Sequence, residues 1–403
     1  MIKPVGIVIF LSAFILIIET PISAQEDEEL KRLREDAKKE VSEQVPGISK
    51  EGEKKKESTQ SNLNAFNPRI TVFGDLSASW LATGREFVGT SLVDSPWSVP
   101  FDRIITRGVE LDIRADVDPY AKAVAIVNSE DLLEELYVDF TKFPAGIKCR
   151  AGLARIPFGT INRVHAHDLP WLDHPLATKN FLGDEGTTAT GATFSKFLFD
   201  SPLELSCGIY DGDNEKIFAG TESRHPCFLA HLSLFEEPWK KNEFQFGASY
   251  LAGYWDAAGT LTSELSGLDF FYRWRPRDKS TYSSFVLQAE LYHMEKEPDT
   301  AGTGRHNWFY ATGYYVMAQY QIDQNFYVGA RYDSSGYMDG IDDAKGQGLG
   351  AYISYYTTEF LRFRLGYEYL SSPDTMEKPK GAVVFNLVFV FGSHPAEPYW
   401  VNK

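Results

Sequence analysis

The chain alternates apolar and polar residues with a period of two over most of its length, from about residue 69 to residue 393. In RGVELDIRADV (107–117), the pattern places Val109 and Leu111 on one side of an extended strand and Glu110 and Asp112 on the other. The segments NFYVGARYD (325–333) and LRFRLGYEY (361–369) repeat it. The alternation predicts strands with one face in an apolar environment and the other in a polar one.

The length and number of these segments indicate which kind of β-structure they form. They run about ten residues, against five or six for strands of soluble sheets, and about sixteen can be counted. Tilted strands of ~9–11 residues span a bilayer. Short connections alternate with long ones, as expected for a barrel with both termini in the periplasm. The predicted fold is an all-β transmembrane antiparallel β-barrel of about sixteen strands.

The two ends of the chain carry different signals. Residues 1–24 combine Lys3, an apolar run and a small-residue site ending at Ala24, which is typical of a secretory signal peptide. Residues 25–68 are charged, with a short helical periodicity, and predict a periplasmic helix and linker; a mobile tether is the alternative. The barrel is predicted over residues 69–394 and a periplasmic tail over 395–403.

Composition narrows the choice of class less than the pattern does. The net charge is −16, and no nucleic-acid partner is expected. The three cysteines, Cys149, Cys207 and Cys227, lack metal-finger spacing and cannot all pair, so they are predicted to be small apolar fillers.

The segment HAHDLPWLDHP (165–175) lies in the third outer connection, residues 156–187, which is the longest in the chain. Long loops without strands of their own are usually functional. By analogy with general porins, this loop is predicted to fold inward and narrow the channel. The predicted constriction residues are His165, His167, Asp168, Trp171, Asp173, His174, Asp184 and Glu185.

The same loop has the residue types of a metal site. Imidazole nitrogen suits zinc, and His165 and His167 converge if the loop is extended, with Asp168, Asp173 or His174 closing the shell. His165, His167 and His174 are therefore candidate ligands of a transient zinc ion, and no other cofactor is expected. In the alternative interpretation these polar groups bind the barrel wall and fix the loop, with the large aromatic residues Phe158, Trp171 and Phe181 as its anchors.

The inner row of the strands carries charges of both signs. Segregated patches would set ion selectivity, whereas pairing around the wall would leave no net preference. The predicted pore-lining charges are Glu110, Asp112, Arg114, Asp116, Lys148, Arg150, Arg273, Glu290, Arg331, Arg362, Arg364 and Glu368.

Several segments resemble a family of bacterial outer-membrane porin-like barrels, some of which are labelled zinc-regulated. They are DPYAKA (118–123), EELYVDF (134–140), RAGLARIPFGTINRVHAHDLPWLDHP (150–175) and FLGDEG (181–186). The match is dense over residues 64–200 and implies an outer-membrane pore or uptake protein. One departure is that twelve residues follow Phe391, whereas such barrels usually end in a terminal aromatic residue.

The predicted function is an outer-membrane channel for diffusion of small hydrophilic solutes or ions. The expected partners are outer-membrane lipid and those solutes, with a homotrimer as an open possibility. Facilitated uptake of a divalent metal such as zinc through the loop histidines, and a non-conducting structural or adhesive barrel, are the alternatives. An enzyme is not expected, because the chain shows no second ligand set and no nucleophile elbow.

Overall fold

A computed structural model of the chain describes residues 68–83, 104–129, 133–239, 241–276, 282–299, 307–336, 345–371 and 380–393. The predicted signal peptide (1–24), nearly all of the charged segment (25–68) and the predicted tail (395–403) lie outside the described residues. Within the described ranges no helix has the length and apolar character needed to cross a membrane.

Strands make up most of the described chain. Their bounds are β1 (Arg69–Thr83), β2 (Ile104–Asp118), β3 (Ala121–Asn128), β4 (Glu135–Phe140), β5 (Lys148–Arg155), β6 (Thr188–Leu198), β7 (Leu203–Tyr210), β8 (Cys227–Trp239), β9 (Asn242–Tyr254), β10 (Thr262–Trp274), β11 (Ser284–Lys296), β12 (Phe309–Gln321), β13 (Phe326–Ser335), β14 (Gly346–Thr358), β15 (Leu361–Ser371) and β16 (Lys380–Gly392). One short helix, α1 (Leu176–Leu182), lies between β5 and β6.

The sixteen strands form a closed antiparallel barrel. Each strand pairs with its neighbours in the chain, and β1 pairs with β16 through a register that includes Asp75 opposite Val388. Closure leaves no strand edge with unpaired backbone groups, which is the condition for strands to exist in a bilayer. The predicted fold class is confirmed.

Period-two alternation separates the two faces of the barrel. Leu268 is 58% exposed, whereas its neighbour Asp269 is 4% exposed. Similarly, Leu365 is exposed on the outer face, and Arg364 is buried on the inner one. An apolar outer surface around a polar interior is the reverse of a soluble protein and is typical of a membrane barrel.

Strand β2 departs from simple alternation at one residue. In its pairing with β1, Gly108 lies opposite Asp75 and Thr106 opposite Leu76, so Arg107 is the extra residue of a β-bulge. Counting by twos from Glu110 would send Arg107 outward, but the bulge turns it inward. Its guanidinium is buried and pairs with Asp75 at 3.3 Å.

The barrel interior contains a hydrophobic core of its own. Phe158, Leu169, Trp171 and Phe181, all from the connection between β5 and β6, cluster with inward-facing wall residues such as Tyr315. Cys149, Cys207 and Cys227 are buried, and their thiols are free. This core brings the candidate functional residues into contact with the wall.

Candidate functional site: the loop inside the barrel

The connection formed by residues 156–187, here called the inner loop, runs inside the barrel. It contains two short 3-10 turns, Ile161–Arg163 and Ala166–Asp168, followed by α1. Its contacts reach inward-facing residues of β1, β2 and β9 to β16, which surround the lumen on several sides. The sequence predicted the inward course of this loop but none of its partners.

The two ends of the inner loop are tied together by Asn162. Its side-chain Nδ2 donates to the carbonyl oxygens of Ile156, at 2.8 Å, and Thr187, at 3.1 Å. Its Oδ1 accepts from the backbone N–H of Thr187 at 2.7 Å. Because Asn162 is fully buried, these bonds are shielded from water and fix where the loop leaves and rejoins the wall.

The first turn of the inner loop is bound by carboxylates of the wall. Glu290 accepts the backbone N–H groups of Thr160 at 2.9 Å and Ile161 at 2.7 Å. The hydroxyl of Thr160 donates to Asp269 at 3.0 Å. Gly159 precedes them at a φ of 60°, where a Cβ would lie 2.4 Å from a Glu290 oxygen, so only glycine fits.

The middle of the inner loop is held by four arginines of the wall, which donate to five backbone carbonyls. The bonds are Arg362 to His167 (2.7 Å) and Leu169 (3.2 Å), Arg364 to Leu169 (2.6 Å) and Trp171, Arg331 to Asp173 (2.7 Å), and Arg107 to Leu172 (2.9 Å). Carbonyls outside regular structure need such donors when buried. Hydrogen bonds from charged donors contribute about 1.5–3 kcal/mol each.

Aromatic packing holds the inner loop at three further points. The rings of Phe158 and Phe181 both stack with Tyr292, with centroid distances of 6.1 and 5.7 Å. Trp171 meets Tyr315 edge to face at 5.9 Å. Phe158, Trp171 and Phe181 are therefore the apolar anchors that the wall-binding interpretation expected.

The first two histidines of the loop lie among carboxylates of the wall. His165 Nδ1 is 3.1 Å from Glu134 Oε1 and 3.5 Å from Glu110 Oε2, and its Nε2 is 2.9 Å from Glu135 Oε1. His167 Nδ1 is 3.2 Å from the same Glu110 oxygen. Burial opposes a charge on His165, but the carboxylates outweigh it and raise the pKa of His165 well above its ordinary value.

Of the predicted zinc ligands His165, His167 and His174, the structure places the rings of His165 and His167 side by side, with centroids 5.7 Å apart. Asp173 pairs with Lys179 instead of closing a metal shell, and His174 is buried with neither ring nitrogen hydrogen-bonded in the described part of the chain. Within the described residues, the group with ligand atoms close enough for a metal is Glu110, Glu134 and His165. The ligands are divided between loop and wall, which loop spacing alone did not indicate.

Several residues predicted to face the passage are buried instead. Trp171, Asp173 and His174 pack against the wall, and Asp184 and Glu185 belong to the turn that ends the loop, where Arg155 donates to the Glu185 carbonyl. Asp168 stays partly open, with 36% of its side chain exposed.

Ten of the twelve predicted pore-lining charges fall into two groups. Glu110, Glu290, Arg331, Arg362, Arg364 and Glu368 lie on inward faces and are mostly or wholly buried beneath the inner loop. Arg114, Asp116, Lys148 and Arg150 are exposed for between 38% and 67% of their side chains. Asp112 is buried beside Arg114, and Arg273 pairs with Glu243 at a cavity of about 580 Å³ below the loop.

A closed barrel of sixteen antiparallel strands, with an outer loop folded against its inner wall, has the architecture of porins. The anion-selective porin from Comamonas acidovorans superposes with a TM-score of 0.54 at 10% identity, covering 81% of this chain and 100% of that one. The outer membrane channel DcaP of Acinetobacter baumannii gives 0.53 at 12% identity, over 81% and 96%. At these identities the likeness establishes the fold alone.

Sequence comparison adds one distant relative. An uncharacterized protein of Aquifex aeolicus is 26% identical over 333 residues, which are 72% of this chain and 69% of that protein. No family model matches the chain. The comparisons thus support the barrel part of the family resemblance and give no support to the zinc-regulated label.

Proposed function

We propose that this protein is a channel of the bacterial outer membrane that admits small hydrophilic solutes or ions, with the inner loop as its constriction. The observation that carries the proposal is the closed barrel with an apolar outer face and charged, water-exposed groups on part of its inner face. Exposed charges inside a barrel need water around them, and a barrel of sixteen strands is wide enough to contain it.

The exposed part of the inner face, here called the open wall, consists of ion pairs. Its members are Arg114 with Asp112, Lys122 with Asp116, Arg150 with Asp139, and Lys148 with Glu204. Pairing around the wall balances the two signs, so we expect weak ion selectivity. The anion selectivity in the name of the Comamonas porin is therefore not carried over to this chain.

The inner loop is proposed as the constriction because it crosses the lumen and is fixed there. Asn162 closes its base, wall arginines hold its middle, and aromatic stacking holds α1. A loop held at this many points keeps one cross-section, so the channel should show steady conductance steps.

Planar-bilayer recording of the detergent-purified protein tests the proposal. Discrete conductance steps are expected, and replacing residues 160–182 by a short Gly-Ser linker should enlarge them severalfold. A correctly folded barrel that stays silent in both forms would overturn the channel function and favour a structural or adhesive barrel.

A trimer, common among sixteen-stranded porins, is the expected assembly, and native mass measurement in detergent checks it.

A further inference from the structure

We propose that the base of the inner loop carries a binding site for one divalent cation of the zinc class, formed by Glu110, Glu134 and His165. One ligand atom from each lies within 4.8 Å of the others. His165 Nδ1 is 3.1 Å and 3.5 Å from the two carboxylate oxygens. Ligand atoms of a tetrahedral zinc ion at ~2.0–2.2 Å are about 3.3–3.6 Å apart. Small side-chain shifts therefore suffice to form the shell.

The orientation of His165 is set by a carboxylate behind it. Its Nε2 is 2.9 Å from Glu135 Oε1, and Glu135 also accepts the backbone N–H of Arg155 at 3.2 Å. With Nε2 held by Glu135, Nδ1 faces the two carboxylates, and an ion bound there would replace the proton on Nδ1, as in carboxylate–histidine–zinc sites. Nδ1 has no hydrogen-bond partner in the described part of the chain. A divalent cation held between Nδ1 and the two carboxylate oxygens would contact all three ligand atoms.

A second imidazole is aimed at the same place. His167 is 4% exposed, and its Nδ1, without a hydrogen-bond partner among the described residues, is 3.2 Å from Glu110 Oε2. Phe73 stacks on its ring with centroids 4.0 Å apart and fixes its orientation. His167 is thus a candidate fourth donor, and it is a buried polar group that the channel function leaves unexplained.

The charge of the cluster matches a divalent ion. Three carboxylates, Glu110, Glu134 and Glu135, share one permanent cation, Arg155, which contacts Glu134 and lies 3.9 Å from Glu135. Before the imidazoles are counted, two negative charges are left over, and buried charges require compensation. Imidazole ligands favour zinc over magnesium or calcium, which prefer oxygen ligands throughout.

The ion would join the inner loop to the barrel wall. His165 belongs to the loop, Glu110 to β2, and Glu134 to the short β3–β4 hairpin, whose last strand has only six residues. The site therefore has a structural consequence that does not depend on whether the barrel conducts.

Calorimetric titration of ZnCl2 into the full, detergent-folded chain tests the site. We expect one zinc ion per chain, with affinity lowered at least about tenfold by Glu110→Gln or His165→Asn. His293→Asn is the matched control, because His293 also lies beside a carboxylate, Glu295 at 3.3 Å, but on the exposed outer face. It should leave the affinity of the tight site unchanged.

A further variant separates a metal site from a merely structural cluster. Glu135 contacts His165 only at the far nitrogen, Nε2, so Glu135→Gln should lower zinc affinity by about 10–100-fold while the barrel keeps its heat-dependent gel migration. Three results would each overturn the site. The folded wild type does not bind zinc, or Glu110→Gln and His165→Asn bind zinc as tightly as the wild type does, or the wild type binds MgCl2 as tightly as ZnCl2. If the barrel binds zinc but does not conduct ions, the channel function is contradicted and the zinc site is supported.

Discussion

Two parts of the inner face use the same residue types in opposite ways. On the covered wall, formed by β11 to β16 and β1, Arg362 and Arg364 are buried and donate to backbone carbonyls of the inner loop. On the open wall, Arg114 and Arg150 are exposed and pair with carboxylates of the wall itself. An inward arginine is thus a structural donor in one place and part of the electric field of the lumen in the other.

The difference indicates that a charged side chain can face the barrel interior without being exposed to the water of the pore. A guanidinium bonded to buried carbonyls keeps its charge, but the loop separates it from the water in the lumen. An exposed ion pair contributes little to stability because solvent screens it, and it remains able to act on passing ions. Substitutions on the two walls should therefore have different effects.

The largest effect is expected from removing loop donors on the covered wall. The double substitution Arg362→Ala and Arg364→Ala deletes bonds to the carbonyls of His167, Leu169 and Trp171. Since each bond contributes about 1.5–3 kcal/mol, the middle of the loop should leave the wall. Single-channel conductance should change at least about twofold, with added current noise.

The matched control for the covered wall is an arginine of the open wall. Arg150→Ala removes the same kind of side chain, but Arg150 bonds to Asp139 and not to the loop. Its conductance should stay close to that of the wild type. Equal effects of the two changes would erase the distinction between the walls.

A smaller effect, on selectivity, is expected from single members of the open-wall pairs. Asp139→Asn leaves the Arg150 guanidinium uncompensated and should shift the reversal potential in a salt gradient toward anion preference. Arg150→Gln should shift it toward cations, and the double variant should return it near the wild-type value. Shifts of the same sign in both single variants would contradict the ion-pair description.

Much of the fold could be predicted because its signal is local. Alternation at i and i+2 places Leu365 outward and Arg364 inward whatever the rest of the chain does. Loop length identified residues 156–187, and the aromatic anchors Trp171 and Phe181 were recognisable by size. The bulge at Arg107 was missed because pairing with β1, and not periodicity, decides it.

The site was harder to predict because its contacts join distant segments. Arg364 reaches Leu169 across 195 positions of the chain, and nothing in either segment indicates the other. Likewise, the partners of His165 come from β2 and from the β3–β4 hairpin, while the prediction sought them within the loop. Residue type indicated metal-binding chemistry, but only the closed barrel showed which carboxylates are near.

A weaker, pH-dependent effect is expected from His174 on the covered side. Burial, with the nearby charges of Arg155, Lys179, Arg331 and His165, lowers the pKa of His174 well below its ordinary value of 6.5. A released loop would regain the ordinary pKa and bind the proton more readily. The stabilisation of the docked loop is therefore present above about pH 6.5 and is lost progressively as the pH falls below it.

The change should amount to about 1.4 kcal/mol per pH unit below that point for one group. Channel noise in bilayer recordings should increase between pH 7 and pH 5, and His174→Asn should reduce the increase. His293→Asn, on the exposed outer face, should not alter it. A pH response that is identical in all three proteins would exclude His174 as its source.

The smallest effect is expected from a substitution on the outer face. Two neighbouring residues of β10, one outward and one inward, test the assignment of the two faces. Leu268 points to lipid, so Leu268→Ala removes side-chain atoms that touch neither the loop nor the lumen, and conductance should be unchanged. Asp269→Asn, one position on, alters the acceptor of the Thr160 hydroxyl and the partner of His231. It should loosen the first turn of the loop and raise the noise. The two residues are neighbours that differ only in the face of β10 on which they lie. If Asp269→Asn left conductance and noise unchanged while Leu268→Ala altered them, the two faces of β10 would be assigned the wrong way round.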